Sequence, residues 1–325
     1  MDKSAASAYT FAKVCGMSQK AYIGENEKKL YAVKSLSELY SLLFKAEVPT
    51  VPEAMLAKLI ESKAEKAFLD EFVSILNNYD KPEPILVDML RFYDFENLKE
   101  IAGSLCMHES ERPEIADIAQ YSMLDYSKWP DIQKITAGSP LAWYDKIPDV
   151  SEQQKLDTRL DFQYMQSIWD GVKKLSGDIK KVLVDFFTKQ IVVQNIIWAM
   201  RLKIYYKMDE DEIIPHLFFD NKKALANDIL AGEAVRILSK NFSSWDEWKN
   251  WKYAQMLNVP VEGSFWEVDP SWMENSFRSW QEKKILRGFH RYSFTLIELI
   301  CYFKIKQNEL DVIRAVTENL RLGGD

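Results

Sequence analysis

Turn-forming residues are scarce in this chain. Eleven glycines and eleven prolines among 325 residues come to about 7%, against the roughly 12% of average usage. Sandwiches, barrels and propellers need a tight turn about every eight to twelve residues, so the shortage steers the chain towards long helices. The apolar pattern agrees. After Pro52, Met55, Leu56, Leu59, Ile60, Ala67, Phe68, Phe72 and Leu76 recur at three- and four-residue spacings, and Asn77-Asn78 with Pro82 beyond marks the end of that helix. A second helix is predicted from about Pro84 into Leu105. Residues 151–175 carry a stripe of Leu156, Leu160, Tyr164, Ile168, Val172 and Leu175, flanked by Met165 and Trp169.

The stretch 179–207 is apolar nearly all round between Lys189 and Arg201, which predicts a helix buried among others. Residues 244–257 are predicted as one helix with Trp245, Trp248, Trp251 and Lys252 around it, their indoles serving core or interface. A last helix is predicted over 293–321, carrying Phe294, Ile297, Ile300, Phe303, Leu310, Ile313 and Leu320. The predicted fold class is all-α.

Hydrophobic residues at 47% and charged residues at 28% exclude disorder as the default. Forty-two basic against forty-nine acidic side chains leave a net charge of -7, and no Lys/Arg run exceeds two residues. Neither a phosphate-tracking surface nor a polybasic hold on anionic lipid is indicated, so no nucleic-acid partner and no direct lipid insertion are expected. The longest apolar runs, such as those at 196–200 and 299–303, have five residues, far short of the roughly 20 of a spanning helix. No apolar segment of a secretory signal follows Lys3. The expected location is cytoplasmic.

Catalytic and metal signatures fail one by one. Cys15, Cys106 and Cys301 lack paired spacing and are expected to be reduced, buried and inert. His108, His216 and His290 are equally scattered. His108-Glu109 opens like a zinc-protease motif, but Arg112 stands where the second histidine belongs. No GxGxxG, GxxxxGK[ST] or GxSxG occurs, and Tyr292 follows His290-Arg291 where a kinase loop needs aspartate. The one dense carboxylate cluster is Asp209, Glu210, Asp211 and Glu212. It leaves open a Mg-dependent all-helical enzyme. Successive helical residues diverge, however, and acids before an apolar run read as a first helical turn complementing its dipole. No catalytic residue, metal or cofactor is expected.

Self-similarity adds organisation. YDFENLKEIAG at 93–103, VVQNIIWAMRLK at 192–203 and NELDVIRAV at 308–316 share a signature, with Asn97, Asn195 and Val312 as equivalent positions. Asn97 and Asn195 are 98 residues apart and Val312 lies 117 further on, so each unit of about 100 residues holds one compact helical bundle. The predicted bundles are 1–112, 113–215 and 216–325.

At these residues the chain resembles, over its whole length, the C subunit family of V/A-type rotary ATPases, called d in the eukaryotic vacuolar enzyme. A D-x-x-N-L-K segment of that family is matched by Asp94, Asn97, Leu98 and Lys99. An L-D-x-x-Y-[YM] helix is matched by Leu160, Asp161, Tyr164 and Met165. A D-x-x-N-I-x-x-x-[LM]-R-x-K helix is matched by Asn195, Ile196, Met200, Arg201 and Lys203, and the closing Y-x-x-x-x-x-x-E-[IL]-x-x-[LI]-R-x-[IV] helix by Tyr302, Glu309, Leu310, Ile313, Arg314 and Val316. There are departures. Val192 replaces the aspartate of the middle motif and Val312 the third asparagine, Gly103 and Leu105 take the places of an Arg and a Lys, and paired glycines are missing from 216–223.

The resemblance implies three similar bundles about a pseudo-threefold axis, forming a funnel. It implies a non-catalytic central-stalk subunit that seats the shaft subunits D and F on the membrane proteolipid ring, and so couples ATP to proton or sodium transport. An unrelated helical scaffold shares the fold class without those partners. Asn97 and Asn195 are expected to hydrogen-bond a neighbouring helix or a backbone carbonyl and fix bundle register. Asp94 is expected to cap a helix start or share their face, and Arg201 and Arg314 to tie helix ends to carboxylates. Circular dichroism is the direct test of the fold class. It should show a predominantly helical protein, and sheet above about a tenth of the residues would contradict the patterning.

Overall fold

The computed structural model describes residues 3–323, and these form helices, turns and loops without a β-strand. Nine helices of seven residues or more carry the architecture: α1 (Lys3–Ser18), α2 (Leu36–Phe44), α3 (Glu53–Leu76), α4 (Pro84–Leu90), α5 (Phe92–Cys106), α6 (Val150–Lys174), α7 (Gly177–Ile204), α8 (Pro270–Arg291) and α9 (Leu296–Arg321). Short helical turns punctuate the segments between them. The chain divides into two compact units, one of residues 1–171 with 285–325 and one of residues 172–284.

In the first unit, α9 lies along α3, where its apolar stripe meets two phenylalanines edge-on. Phe303 stands 5.2 Å from Phe68 and 4.7 Å from Phe72, and all three rings are buried. Such pairs add about 0.5–1.5 kcal/mol each beyond area burial. α1 and α2 pack on the same helix. A second cluster in this unit gathers Phe95, Leu98, Ile101 and Leu105 of α5 with Leu124, Ile135, Leu141 and Tyr144 of the following loop and Leu160 of α6.

The second unit is built on α7. Its Val192, Val193, Ile196, Ile197 and Met200 pack with Leu217, Ala234, Trp248, Trp266 and Met273. By length and composition alone α7 would cross a membrane, with mean hydropathy 1.2 over its most apolar window. Half of that window is buried in the protein, however, and only Gln194 and Trp198 between Ile191 and Met200 are exposed.

Three predicted elements differ from what forms. The helix expected from Pro84 to Leu105 is broken at Arg91 into α4 and α5. There the Asp94 N–H bonds the Arg91 carbonyl at 2.9 Å, a tight three-residue turn, while the Arg91 guanidinium donates to the Tyr121 carbonyl. The tryptophan segment 244–257 is not one helix. Helical turns form only over Trp245–Trp248 and Ala254–Met256. The indole N–H groups explain this: Trp248 donates to the Asn241 carbonyl and Trp251 to Glu233. The rings of Trp248 and Trp251 also meet edge-on at 5.1 Å. Burying large rings with their donors satisfied outweighs a few helical hydrogen bonds. The last helix starts at Leu296, because Phe294 has a positive φ of 63° and Thr295 is extended.

Other expectations meet the structure directly. Asp209 and Glu212 form a reciprocal capping box at the first turn of the helix Glu210–Ile213. All three cysteines are free thiols, but of the three expected to be buried only Cys301 is, and Cys15 and Cys106 are half-buried.

Glu233 anchors the tryptophan segment electrostatically. Burial alone would raise its carboxyl, but hydrogen bonds from Lys252, Arg236 and Trp251 hold it down at about 2. Because the folded value lies below the ordinary 4.5, its stabilisation is fully present above about pH 4.5 and is lost as pH falls through about 2. Urea unfolding of wild type and Glu233→Gln should therefore differ most at neutral pH and converge on acidification. A constant difference down to pH 2 would remove Glu233 from this role.

Candidate functional site

The polar residues singled out in the sequence fall largely on helix faces turned inward. Asp94, Asn97, Asn195 and Glu309 are each less than 7% exposed. A buried polar side chain must find partners or cost about 1–3 kcal/mol. These residues find the backbone of irregular segments.

Asn97, on α5, grips one residue at both ends. The Ala116 N–H donates to Asn97 Oδ1 at 2.8 Å, and Asn97 Nδ2 donates to the Ala116 carbonyl at 2.8 Å. Nδ2 also donates to the Tyr126 hydroxyl at 3.0 Å, which in turn donates to Asp94 Oδ1 at 2.7 Å. Asp94 accepts further from the Ser122 hydroxyl at 2.7 Å and the Met123 N–H at 2.8 Å. Burial raises the Asp94 carboxyl above the ordinary range, and the bonds from Met123, Tyr126 and Ser122 oppose that rise. One turn of α5 thus holds the loop 116–126 at four residues.

Asn195, on α7, repeats this grip in the second unit. The Phe218 N–H donates to Asn195 Oδ1 at 2.9 Å, and Asn195 Nδ2 donates to the Phe218 carbonyl at 2.9 Å and the Leu230 carbonyl at 3.1 Å. Val192, where an acid would stand one turn earlier, is buried in the apolar core. A second carboxylate supports this loop instead. Asp228 Oδ1 accepts from the Leu230 and Ala231 N–H groups, each at 2.8 Å, and Oδ2 from Asn221 at 2.7 Å. The chain is so tight here that a Cβ on Gly232 would stand 2.6 Å from the Ala226 carbonyl oxygen.

The third motif helix, α9, inverts the arrangement. Val312 is half-buried and apolar. Glu309, three residues earlier, accepts the Tyr22 N–H at 2.8 Å and pairs with Lys306. The acid and amide positions are therefore both polar in α5 (Asp94, Asn97), amide only in α7 (Asn195) and acid only in α9 (Glu309). In each case a backbone N–H of a non-helical segment is held.

The other motif residues act between or within helices. Lys99 on α5 pairs with Asp161 on α6 and with Glu96 at 2.7 Å. Tyr164 packs against Phe92 and Phe95 at 5.2 and 5.5 Å, and Leu98 lies in the core. Arg201 reaches Glu274 on α8 at 2.7 Å, while Arg314 ties α9 to Glu65 on α3. Lys203 stands in the last turn of α7, where its charge complements the helix dipole. Tyr302 is fully buried and its hydroxyl has no hydrogen-bond partner.

A cleft of about 230 Å³ in the first unit is lined by Glu61, Glu65, Glu100, Glu114, Lys58 and Arg314 among others. Two of its acids are engaged: Glu65 with Arg314, and Glu114 with the Ser62 hydroxyl at 2.6 Å. Burial raises Glu61 and Glu65 while Arg314 lowers them. No three His, Cys, Asp or Glu among the described residues are grouped to hold a metal ion. Sequence reasoning missed Ala116, Phe218 and Tyr22, because a residue held by its backbone leaves no side-chain signature. It also missed Tyr126 and Asp228.

Amides and carboxylates on long helices, closed onto loop backbone, define a helical scaffold whose polar motifs fix geometry. A family profile described as ATP synthase (C/AC39) subunit matches residues 11–323. The chain belongs to that family, the C/d subunits of V/A-type ATPases. An uncharacterized protein of Treponema pallidum (strain Nichols) is 24% identical over 335 residues, covering 99% of this chain and 95% of its own length.

Asn195→Leu tests the grip. The substitution removes the bonds that Asn195 makes to the Phe218 N–H, the Phe218 carbonyl and the Leu230 carbonyl, and a buried group that loses its bond costs about 1–3 kcal/mol. Hydrogen exchange at Phe218 should accelerate at least tenfold while helicity stays nearly intact. Unchanged Phe218 protection would show that the bonds do not hold the loop.

Proposed function

We propose that this chain is the non-catalytic central-stalk subunit of a V/A-type rotary ATPase, a socket coupling the D/F shaft to the membrane proteolipid ring during proton or sodium transport. The family match over residues 11–323 is the observation that carries this reading. The three motif helices support it, since α5, α7 and α9 each hold a backbone N–H with a buried side chain from the same two positions. In this proposal they are the equivalent members of three bundles, 1–112, 113–215 and 216–325, arranged as a funnel about a pseudo-threefold axis. The shaft enters the wide mouth and the opposite face rests on the ring. The subunit is then cytoplasmic and peripheral to the membrane, held there by the ring rather than by lipid.

The physical demand on such a part is stiffness. Closely packed helices have low compressibility, and loops gripped at both backbone groups cannot slip in register. Chemistry is not required of it.

Co-expression of the full chain with the D and F subunits of the same complex should yield a complex that survives gel filtration. Calorimetry of the isolated chain with MgATP should show no binding. In the assembled complex, Asn195→Leu should lower ion-coupled ATPase activity more than uncoupled hydrolysis. A wild-type chain that ignores D and F, or that binds ATP tightly alone, would overturn the proposal.

A further inference from the structure

Glu298 is the one acid in the core of the first unit whose burial no cation offsets among the described residues. It sits in the first turn of α9 and is 1% exposed. One oxygen, Oε2, accepts the Phe294 N–H at 2.7 Å across the positive-φ turn. The other, Oε1, is buried without a hydrogen-bond partner. A helix N-terminus favours the ionised form of an acid, but here burial dominates. It raises the carboxyl to about 7, opposed only by the Phe294 N–H.

α1 packs on this end of α9. Phe11 places its ring 4.0 Å from that of Phe294. Among the described residues, the titratable groups that sense Glu298 are two thiols, Cys15 from α1 and Cys301 from α9 itself, and both are raised by burial first and by the Glu298 charge second. The turn that joins α8 to α9 contributes only its backbone N–H at Phe294.

Among the described side chains of α1, the fully buried ones are small, Ala6, Thr10 and Val14, while Phe11 is half-buried against Phe294. Polar ties run to α3 and the residues just beyond it: the Thr10 and Tyr79 hydroxyls meet at 2.8 Å, and Lys13 donates to the Ser74 hydroxyl at 2.8 Å. A buried carboxylate with one oxygen unpaired costs more than a neutral hydrogen bond returns, so ionisation beneath α1 works against its packing.

We propose that α1 is a strap over the Glu298 carboxyl, closed while that carboxyl is neutral and loosened when it is ionised. Opening lets water reach Oε1, which is the solvation the closed form withholds. No other part of α9 needs to move. The strap gives the chain an N-terminal segment whose attachment follows the pH of its surroundings across the neutral range.

The sign follows from linkage. The closed form has the raised value, about 7, against an ordinary 4.5 when open. The closed form is therefore fully favoured below about pH 4.5 and loses that advantage as pH rises through about 7. Amide exchange of the full chain, corrected for intrinsic rates, should show α1 protection falling about tenfold or more between pH 5.5 and 8.5. Protection in α5 should hold steady. In Glu298→Gln, which is neutral at every pH, α1 protection should not change over that range. Should that variant fail to fold, Phe11→Ala provides the second measurement: α1 protection lower at every pH, with the wild-type midpoint near 7 kept. Flat protection in wild type, an equal fall in Glu298→Gln, an equal fall in α5, or a shifted midpoint in Phe11→Ala would each overturn the strap.

Discussion

The bidentate grip of Asn195 on Phe218 states the problem that the whole chain must solve. Between its long helices run irregular segments, 107–149 and 205–269, that contain only short helical turns. Such lengths exceed the usual connection in a compact domain. Every non-proline peptide in them carries a donor and an acceptor that a strand ladder would otherwise pair, and no strand forms among the described residues. A primary amide is the side chain that matches both groups of one peptide at once. Set in a helix, it extends the paired network from the helix to the loop.

The comparison among α5, α7 and α9 shows which part of the motif is essential. Asp94 and Asn97 together hold Ala116, Met123 and, through hydroxyls, Ser122 and Tyr126. In α7 the acid is gone, and Asp228 supports the loop from within. In α9 the amide is gone, and Glu309 binds a segment 287 positions earlier in the chain. That last contact closes the first unit, since the final helix takes its loop from the opening one. What persists is one buried acceptor for one loop N–H. The residue supplying it varies within a single helical turn.

Periodicity made the helices legible, because burial of a stripe is a repeated demand that each residue of Glu53–Leu76 or Val150–Lys174 meets in turn. Failures came where a single polar contact outweighed the pattern. The guanidinium of Arg91, where one predicted helix is interrupted, donates to the Tyr121 carbonyl, and the indoles of Trp248 and Trp251, where another gives way to short turns, donate to Asn241 and Glu233. Asn97 and Asn195 were visible because they recur at equivalent positions of a repeated signature. Their partners were not, since the contact at Ala116 and Phe218 is to backbone, which every residue shares.

Magnitudes rank the contacts that hold helices and loops together. The ion pairs between helices, Lys99 with Asp161, Arg201 with Glu274 and Arg314 with Glu65, all have at least one partner more than 30% exposed. Exposed pairs contribute about 0–1 kcal/mol and are screened by salt. A buried amide that satisfies three backbone groups weighs more, because losing it leaves each group dry. Edge-on rings such as Phe72 and Phe303 add packing that resists compression. The larger contributions thus lie in the interior, in rings and backbone grips.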